Sequence, residues 1–201
     1  LVEACRTVAS YQLRTRATIV GNICNASPAG DTIGACMVFG GELRVHGVDG
    51  RRNEPLSTFF LGPGKTRLLP GDIVTSLNLP LPPPGCKGTY IKLGRNQMSD
   101  LAIVGVTVLG FPQADLPSGY RFRIALAAVA PTPLEAQAAE DYLANHPITD
   151  ETLRQAAQLA QEACSPIDDV RGSARYRRAM VRNLTLKALT LVWESLQTEQ
   201  S

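Results

Sequence analysis

The sequence predicts an α+β fold: short strands joined by glycine turns, then an antiparallel sheet with helices on one face. Three observations predict it. The run Pro80-Leu81-Pro82-Pro83-Pro84-Gly85 divides the chain, because consecutive prolines supply no amide donors, force extended backbone and cannot lie in a central strand. Before the run, short apolar segments alternate with glycines. After it, strand-like segments come first and helix-like segments last, the order expected of helices laid on an antiparallel sheet. Two units, about 1–84 and 85–201, are therefore expected within the 201 residues.

Leu1, Val2, Ala4, Cys5, Val8 and Ala9 have helical spacing, so the sequence opens inside a helix. Its first residue is not Met, and a preceding segment is expected. Strands are expected over Arg16 to Ile23, Cys36 to Phe39, Glu42 to Val48 and Asp72 to Leu79. Leu101 to Leu109 is a nearly continuous apolar run rich in Val and Ile, as in a strand covered on both faces. Tyr120 to Ala130 alternates, with Tyr120, Phe122, Ile124, Leu126 and Ala128 on one side and Arg121, Arg123, Ala125 and Ala127 on the other, which predicts a half-buried strand. Thr132-Pro133-Leu134-Glu135 has the form of a capping box with Pro at the first helical position, so a helix is expected from there to about Asn145. Thr149 is placed to cap the next, with Asp150 and Glu151 against the positive end of its dipole and Ser165-Pro166 closing it. A last helix is expected over about Ser173 to Leu196, with Val181, Leu184, Ala188 and Leu191 on one face and Arg175, Arg178 and Arg182 on another.

Hydrophobic residues are 44% and charged residues 19%, which excludes a disordered tail, a coiled coil or a collagen-like repeat. The net charge of +2 is too balanced to attract nucleic acid or an anionic membrane by itself. The basic run Arg171, Arg175, Arg177, Arg178, Arg182 and Lys187 is spread around its helix without interleaved aromatics, which suits a protein interface or a solvated face, with Arg171 as an interface anchor, better than a groove-reading stripe. Cys5, Cys24, Cys36, Cys86 and Cys164 are odd in number, contain no C-x-x-C, and read as reduced thiols. His46 and His146 lack a second imidazole at ligand spacing, so no metal site is expected. No signal peptide and no apolar stretch of membrane-spanning length is visible, and the cytoplasm is the expected compartment.

Two segments carry chemistry. Gly62-Pro63-Gly64-Lys65-Thr66 ends like a phosphate-binding loop, but that loop needs a glycine where Phe59 stands, so a structural glycine turn is expected. Arg16 to Thr32 is the more informative. A strand ending in Thr18-Ile19-Val20-Gly21-Asn22 would offer successive amides, a hydroxyl and a carboxamide to diphosphate oxygens. Pro28 would stiffen the loop, and Asp31 could accept hydrogen bonds from ribose hydroxyls or other ligand donors. An ordinary turn remains the alternative.

Residues 16–32 resemble the second flavin-binding signature, Thr-Ile-Gly-Gly-Asn followed by Ala-Ser-Pro and an Asp, of the FAD-binding medium subunits of molybdenum hydroxylases. That family includes aerobic carbon monoxide dehydrogenase and the xanthine dehydrogenase FAD domain. The resemblance continues through Phe59-Phe60-Leu61-Gly62-Pro63-Gly64-Lys65-Thr66, Leu69-Pro70-Gly71-Asp72-Ile73, Tyr90-Ile91-Lys92 and Arg123-Ile124-Ala125-Leu126. It runs on through Ala130-Pro131-Thr132-Pro133 to Ser165-Pro166-Ile167-Asp168-Asp169-Val170-Arg171-Gly172-Ser173-Ala174-Arg175-Tyr176-Arg177, so it covers nearly the whole chain in order.

The resemblance implies a flavin electron-transfer subunit of an oxidoreductase. Its FAD would take electrons from an iron–sulfur small subunit after a molybdenum large subunit has oxidised the substrate, and pass them to NAD, a quinone or another acceptor. The molybdenum cofactor and iron–sulfur clusters would sit on those partners only, in a hetero-oligomer. By the same resemblance, 1–84 is the second lobe of an FAD-binding domain and 85–201 is the C-terminal domain of the subunit. Thr18, Ile19, Val20, Gly21 and Asn22 would meet the diphosphate, Asp31 the adenosine or ribityl side, and Val74 and Lys92 the flavin ring, with Val8 as a further apolar contact. Lys92 near the N1–C2 carbonyl region would stabilise the reduced ring. Two departures stand out: Val20 replaces the first Gly of the Gly-Gly pair, and the glycine-rich first flavin signature of an N-terminal lobe is absent. The chain is then part of a longer protein, a split gene product, or an FAD-free module that docks a molybdenum-enzyme partner.

Overall fold

A computed structural model describes residues 1–96 and 100–198. Four short helices open the chain: α1 (Val2–Thr7), α2 (Tyr11–Arg14), α3 (Ile19–Cys24) and α4 (Asp31–Val38). Two of them replace expected strands. Thr18 is extended (φ −124, ψ 154) and its Oγ1 accepts from the Gly21 amide at 2.9 Å, so it caps a helix just where the β-branched run suggests a strand. All eight residues of α4 are buried. A helix buried on every side shows no 3.6-residue apolar stripe, which is why Cys36 to Phe39 reads as a strand from sequence.

The middle of the chain forms a three-stranded antiparallel sheet in the order β2-β1-β5, from β1 (Glu42–Gly47), β2 (Gly50–Pro55) and β5 (Ile73–Asn78). Between β2 and β5 lie α5 (Leu56–Phe59) and the hairpin of β3 (Phe60–Gly62) and β4 (Lys65–Thr66). The Gly-Lys-Thr segment is thus the expected turn, with Gly64 at φ +67. Behind it, Arg52 donates both terminal nitrogens to Asp72 and its Nε to Glu54, and Asp72 also accepts from the Leu69 amide. The Arg52 bond is the larger reason that the Asp72 carboxyl is lowered to about 2. This ties the Leu69-Pro70-Gly71 turn to the strand that carries Val74.

The second sheet is antiparallel in the order β6-β7-β8-β9, from β6 (Lys87–Leu93), β7 (Val104–Pro112), β8 (Tyr120–Ala127) and β9 (Leu134–Glu135). The helices α6 (Gln137–Asn145), α7 (Asp150–Glu162) and α8 (Ala174–Thr198) cover one face. There Val104, Val106, Val108, Phe122, Ile124 and Leu126 pack with Leu143, Leu153, Val181 and Leu189. The other face receives α4, so β8 is buried on both sides in its second half rather than half-buried. That approach needs small residues: a Cβ on Gly34 would lie 2.8 Å from Thr107 Oγ1 and 3.4 Å from the Ala125 Cβ.

Thr149 caps α7 as expected, in a capping box with Thr152. The other expected box fails. Leu134 pairs with Leu126, and the Ala136 amide donates to the Ile124 carbonyl, so Leu134-Glu135 adds a strand to the sheet and the helix begins only at Gln137. Sheet pairing, invisible in a local motif, outweighs a capping sequence. Glu140 of α6 continues the same edge by accepting the Ile124 amide at 2.7 Å. No helix of the described residues is long and apolar enough to cross a membrane.

Candidate functional site

The capped start of α3 defines the first part of the site. The Gly21 amide is committed to the Thr18 hydroxyl and the Asn22 amide donates to the Thr18 carbonyl. The outward donors of that turn are therefore the Ile19 and Val20 amides, which have no intrahelical acceptor. Gly21, expected among the residues meeting the diphosphate, has its amide turned to the Thr18 hydroxyl. A Cβ on Gly21 would fall 2.9 Å from Thr18 Oγ1 and so crowd the capping hydroxyl.

Thr18, Ile19 and Asn22 line an open cleft of about 160 Å³ together with Cys5, Val8, Arg14, Ala17 and Thr32. Asn22 Oδ1 accepts from the Thr32 hydroxyl at 2.8 Å, which ties α3 to the first turn of α4 and leaves the carboxamide donors free of that bond. Arg14, absent from the sequence reading, donates through Nη1 to the Val8 and Ala9 carbonyls at 2.7 and 2.8 Å. It holds the turn at Ala9, where φ is +39, and brings a guanidinium to the cleft. These bonds span only five and six residues, but no motif or periodicity in the local sequence marks Arg14.

Thr32 leads directly to Asp31, the first residue of α4, where the second part of the site lies. Lys92 Nζ donates to Asp31 Oδ2 at 2.8 Å and to the Thr7 carbonyl at 2.9 Å, and the Tyr90 hydroxyl donates to Asp31 Oδ1 at 2.6 Å. The ion pair is secluded, with 11% and 7% of the Lys92 and Asp31 side chains exposed. Burial pushes the Asp31 carboxyl up, and the Lys92 and Tyr90 hydrogen bonds pull it back. Burial, then the neighbouring carboxylate, raises the Tyr90 phenol, so it remains a donor. Tyr90 precedes Lys92 by two residues on β6 and therefore shares its face; that spacing was the available signal.

The expected site residues thus fall into two adjoining groups, Thr18, Ile19 and Asn22 with Val8 in the cleft, and Asp31 with Lys92 in the ion pair. Val20 and Gly21 lie on the same helical turn. Val74 stands apart on β5, opposite Val45 of β1, half-buried against the core beneath α3 and α4. Among the described residues no three His, Cys, Asp or Glu side chains group to hold a metal ion. Two outward amides, a carboxamide and a guanidinium at the cleft, and on the Asp31 side an ammonium with one donor not used by Asp31 or Thr7, are donors of the kind that diphosphate and hydroxyl oxygens accept.

Comparison with known proteins gives the same direction. Residues 1–82 match the FAD binding domain in molybdopterin dehydrogenase, and residues 89–192 match the CO dehydrogenase flavoprotein C-terminal domain. The carbon monoxide dehydrogenase medium chain of Hydrogenophaga pseudoflava is 32% identical over 96% of this chain and 66% of its own length. A putative xanthine dehydrogenase FAD-binding subunit of Escherichia coli (strain K12) is 27% identical over 94% of this chain and 65% of its own. A solved carbon monoxide dehydrogenase from H. pseudoflava, lacking the Mo-pyranopterin moiety of the molybdenum cofactor, superposes with a TM-score of 0.90 at 33% identity, over 96% of this chain and 66% of that one. The chain therefore spans just under two thirds of the length of these relatives.

Proposed function

The chain belongs to the family of CO dehydrogenase flavoproteins, the FAD-binding medium subunits of molybdenum hydroxylases, and from that premise we propose that it is part of a flavin electron-transfer subunit. In this reading residues 1–84 are the second lobe of an FAD-binding domain and residues 85–201 the C-terminal domain of the subunit. The partners are an iron–sulfur small subunit and a molybdenum large subunit, in a cytoplasmic hetero-oligomer. Five free cysteines suit a reducing compartment.

One observation carries the proposal: the secluded Asp31–Lys92 pair sits at the start of the helix whose next residue, Thr32, lines the cleft of Thr18, Ile19 and Asn22. The donor set fits FAD. The Ile19 and Val20 amides and the Arg14 guanidinium would hold the diphosphate, Asn22 would orient it, and Asp31 would accept from the ribityl or ribose side. Val8 and Val74 would supply apolar contact. FAD, when bound, accepts electrons from one redox partner and hands them to another. The role of Lys92 is to place a fixed positive donor where reduction adds negative charge, already held by Asp31 and Thr7 so that little reorganisation is needed.

Lys92→Met in the complete flavoprotein tests this. Met keeps the length of the side chain and removes the donor. The loss of one charge-assisted hydrogen bond, about 1.5–3 kcal/mol, lowers the two-electron midpoint potential by about 30–60 mV. Spectroelectrochemical titration reads the shift. An unchanged potential removes Lys92 from the ring, and a complete protein without flavin leaves the assembly module as the reading.

A further inference from the structure

Resting on the reading of an FAD site at Asp31 and Lys92, we propose that Tyr90 is its positioning residue, whose hydroxyl fixes the Asp31 carboxylate and so sets the charge that Lys92 presents to the cofactor. Three features of the fold converge on that hydroxyl.

The first is that Asp31 cannot move to find another partner. Every residue of α4 is buried, and the helix lies on β7 and β8 only because Gly34 has no Cβ to meet Thr107 and Ala125. At its far end the Val38 carbonyl accepts from Arg123 at 2.9 Å, so α4 is gripped at both ends by side chains of the second sheet. Each Asp31 oxygen has its own donor, Oδ1 from Tyr90 at 2.6 Å and Oδ2 from Lys92 at 2.8 Å. Without the phenol, Oδ1 would be a secluded acceptor with no replacement at hand.

The second is that the sheet is shaped for the phenol. Gly105 of β7 pairs with Lys92, and a Cβ on it would lie 3.0 Å from the Tyr90 hydroxyl and 3.2 Å from the Ala127 Cβ. The glycine opens the space through which the ring reaches Asp31. The Glu3 carboxylate of α1 accepts the Tyr90 backbone amide at 3.2 Å, which pins the residue to the same helix whose Thr7 carbonyl receives Lys92.

The third is stoichiometric. Asp31 and Thr7 occupy two of the three donors of Lys92, leaving one for a ligand acceptor. Tyr90 therefore contributes no charge and needs no contact with the cofactor. It acts by keeping Asp31 an anion, so that the pair is neutral overall. The titratable and charged groups on the packed elements are Glu3, Cys5 and Arg6 of α1, Cys24 of α3, Cys36 of α4 itself, Lys87, Tyr90 and Lys92 of β6, Tyr120, Arg121 and Arg123 of β8, and Glu135 of β9. β7 and β8 face this end of α4 with Gly105, Thr107 and Ala127, and Arg123 stands at the other end of the helix.

Burial already favours the protonated Asp31, and removing one of the two bonds that oppose burial favours it further. In Tyr90→Phe, Asp31 takes up its proton at higher pH, and in that window the pair carries a net positive charge where the parent pair is neutral. The experiment is the flavin midpoint potential against pH in the complete flavoprotein, for the parent, Tyr90→Phe, Asp31→Asn and the double variant. Tyr90→Phe is expected to move the Asp31-dependent inflection to higher pH and to raise the potential between the two inflections, with no further change when added to Asp31→Asn. Gly105→Ala, which presses on the same hydroxyl from β7, is expected to shift the inflection in the same direction and serves if Tyr90→Phe does not fold. An inflection abolished by Asp31→Asn but unmoved by Tyr90→Phe or Gly105→Ala overturns the role of Tyr90 and leaves the cofactor site standing. Identical pH profiles for the parent and Asp31→Asn overturn both.

Discussion

Replacing Arg177 by Met is expected to destabilise the chain by about 3–5 kcal/mol, because it breaks a buried, charged hydrogen-bond centre while leaving its acceptors in place. Arg177 lies on α8, is 2% exposed, and donates to the Ile103 carbonyl at 3.2 Å, the Ala128 carbonyl at 2.7 Å and Asp169 at 2.6 Å. Ala128 is held at φ +65, a conformation costly for a residue with a Cβ, where the chain turns out of β8. Its amide donates to the Pro28 carbonyl at 2.7 Å, so the same residue joins the loop after α3 to the long helix. Met fills much of the volume but satisfies none of the three acceptors. Asp169 would keep Arg171, the larger of the two causes that hold its carboxyl well below the ordinary range. A depressed carboxyl contributes stability above its unfolded value of 3.8 that is lost as pH falls, so the variant also loses part of the acid-side slope. Urea unfolding at neutral pH reads the main effect, and a loss below about 1 kcal/mol would contradict it.

Glu140 has the opposite sign. Burial, only partly offset by the Ile124 amide, raises its carboxyl from 4.5 to about 7, with Glu135 and Asp141 adding repulsion and Arg123 attraction. A raised folded value means that the folded state binds the proton more tightly. Stability is therefore complete below 4.5 and falls as pH rises through about 7. At 1.36 kcal/mol per unit, the loss is about 3 kcal/mol. Glu140→Gln keeps an acceptor for Ile124 and removes the charge. It is expected to flatten the slope between pH 5 and about 8 and to be more stable than the parent by about 3 kcal/mol at the upper end. Asp31 and Glu135, also raised by burial, keep a slope of the same sign in the variant. Equal slopes in urea titrations of the two proteins would refute the assignment.

Much of the second sheet was legible because its residues obey local rules. The apolar run of β7 and the alternation of β8 are properties of strands packed on a core, and the Thr149 cap uses residues within one turn. The first helices were not legible. Ile19 and Val20 favour strands, and only the bond from Gly21 to Thr18 and the burial of Ile23 make the segment helical. α4 gave no periodicity because both of its sides are core. The chemistry of the site divides in the same way. Lys92 and Asp31 were marked by the resemblance, and the i, i+2 spacing on β6 put Tyr90 on the face of Lys92, while the Arg123 bond to the Val38 carbonyl joins residues distant in sequence and the short-range Arg14 bonds follow no spacing rule. The Gly21 amide meets the hydroxyl of the threonine three residues earlier, a capping bond that a strand reading of the segment does not contain.

Whether these residues form part of an FAD site is read by the visible absorption of the purified complete subunit after removal of free flavin. Flavin bands at a stoichiometry near one per chain, with weaker retention in Asn22→Ala, are the predicted result. A complete, folded subunit that shows no flavin bands even after incubation with FAD would contradict it.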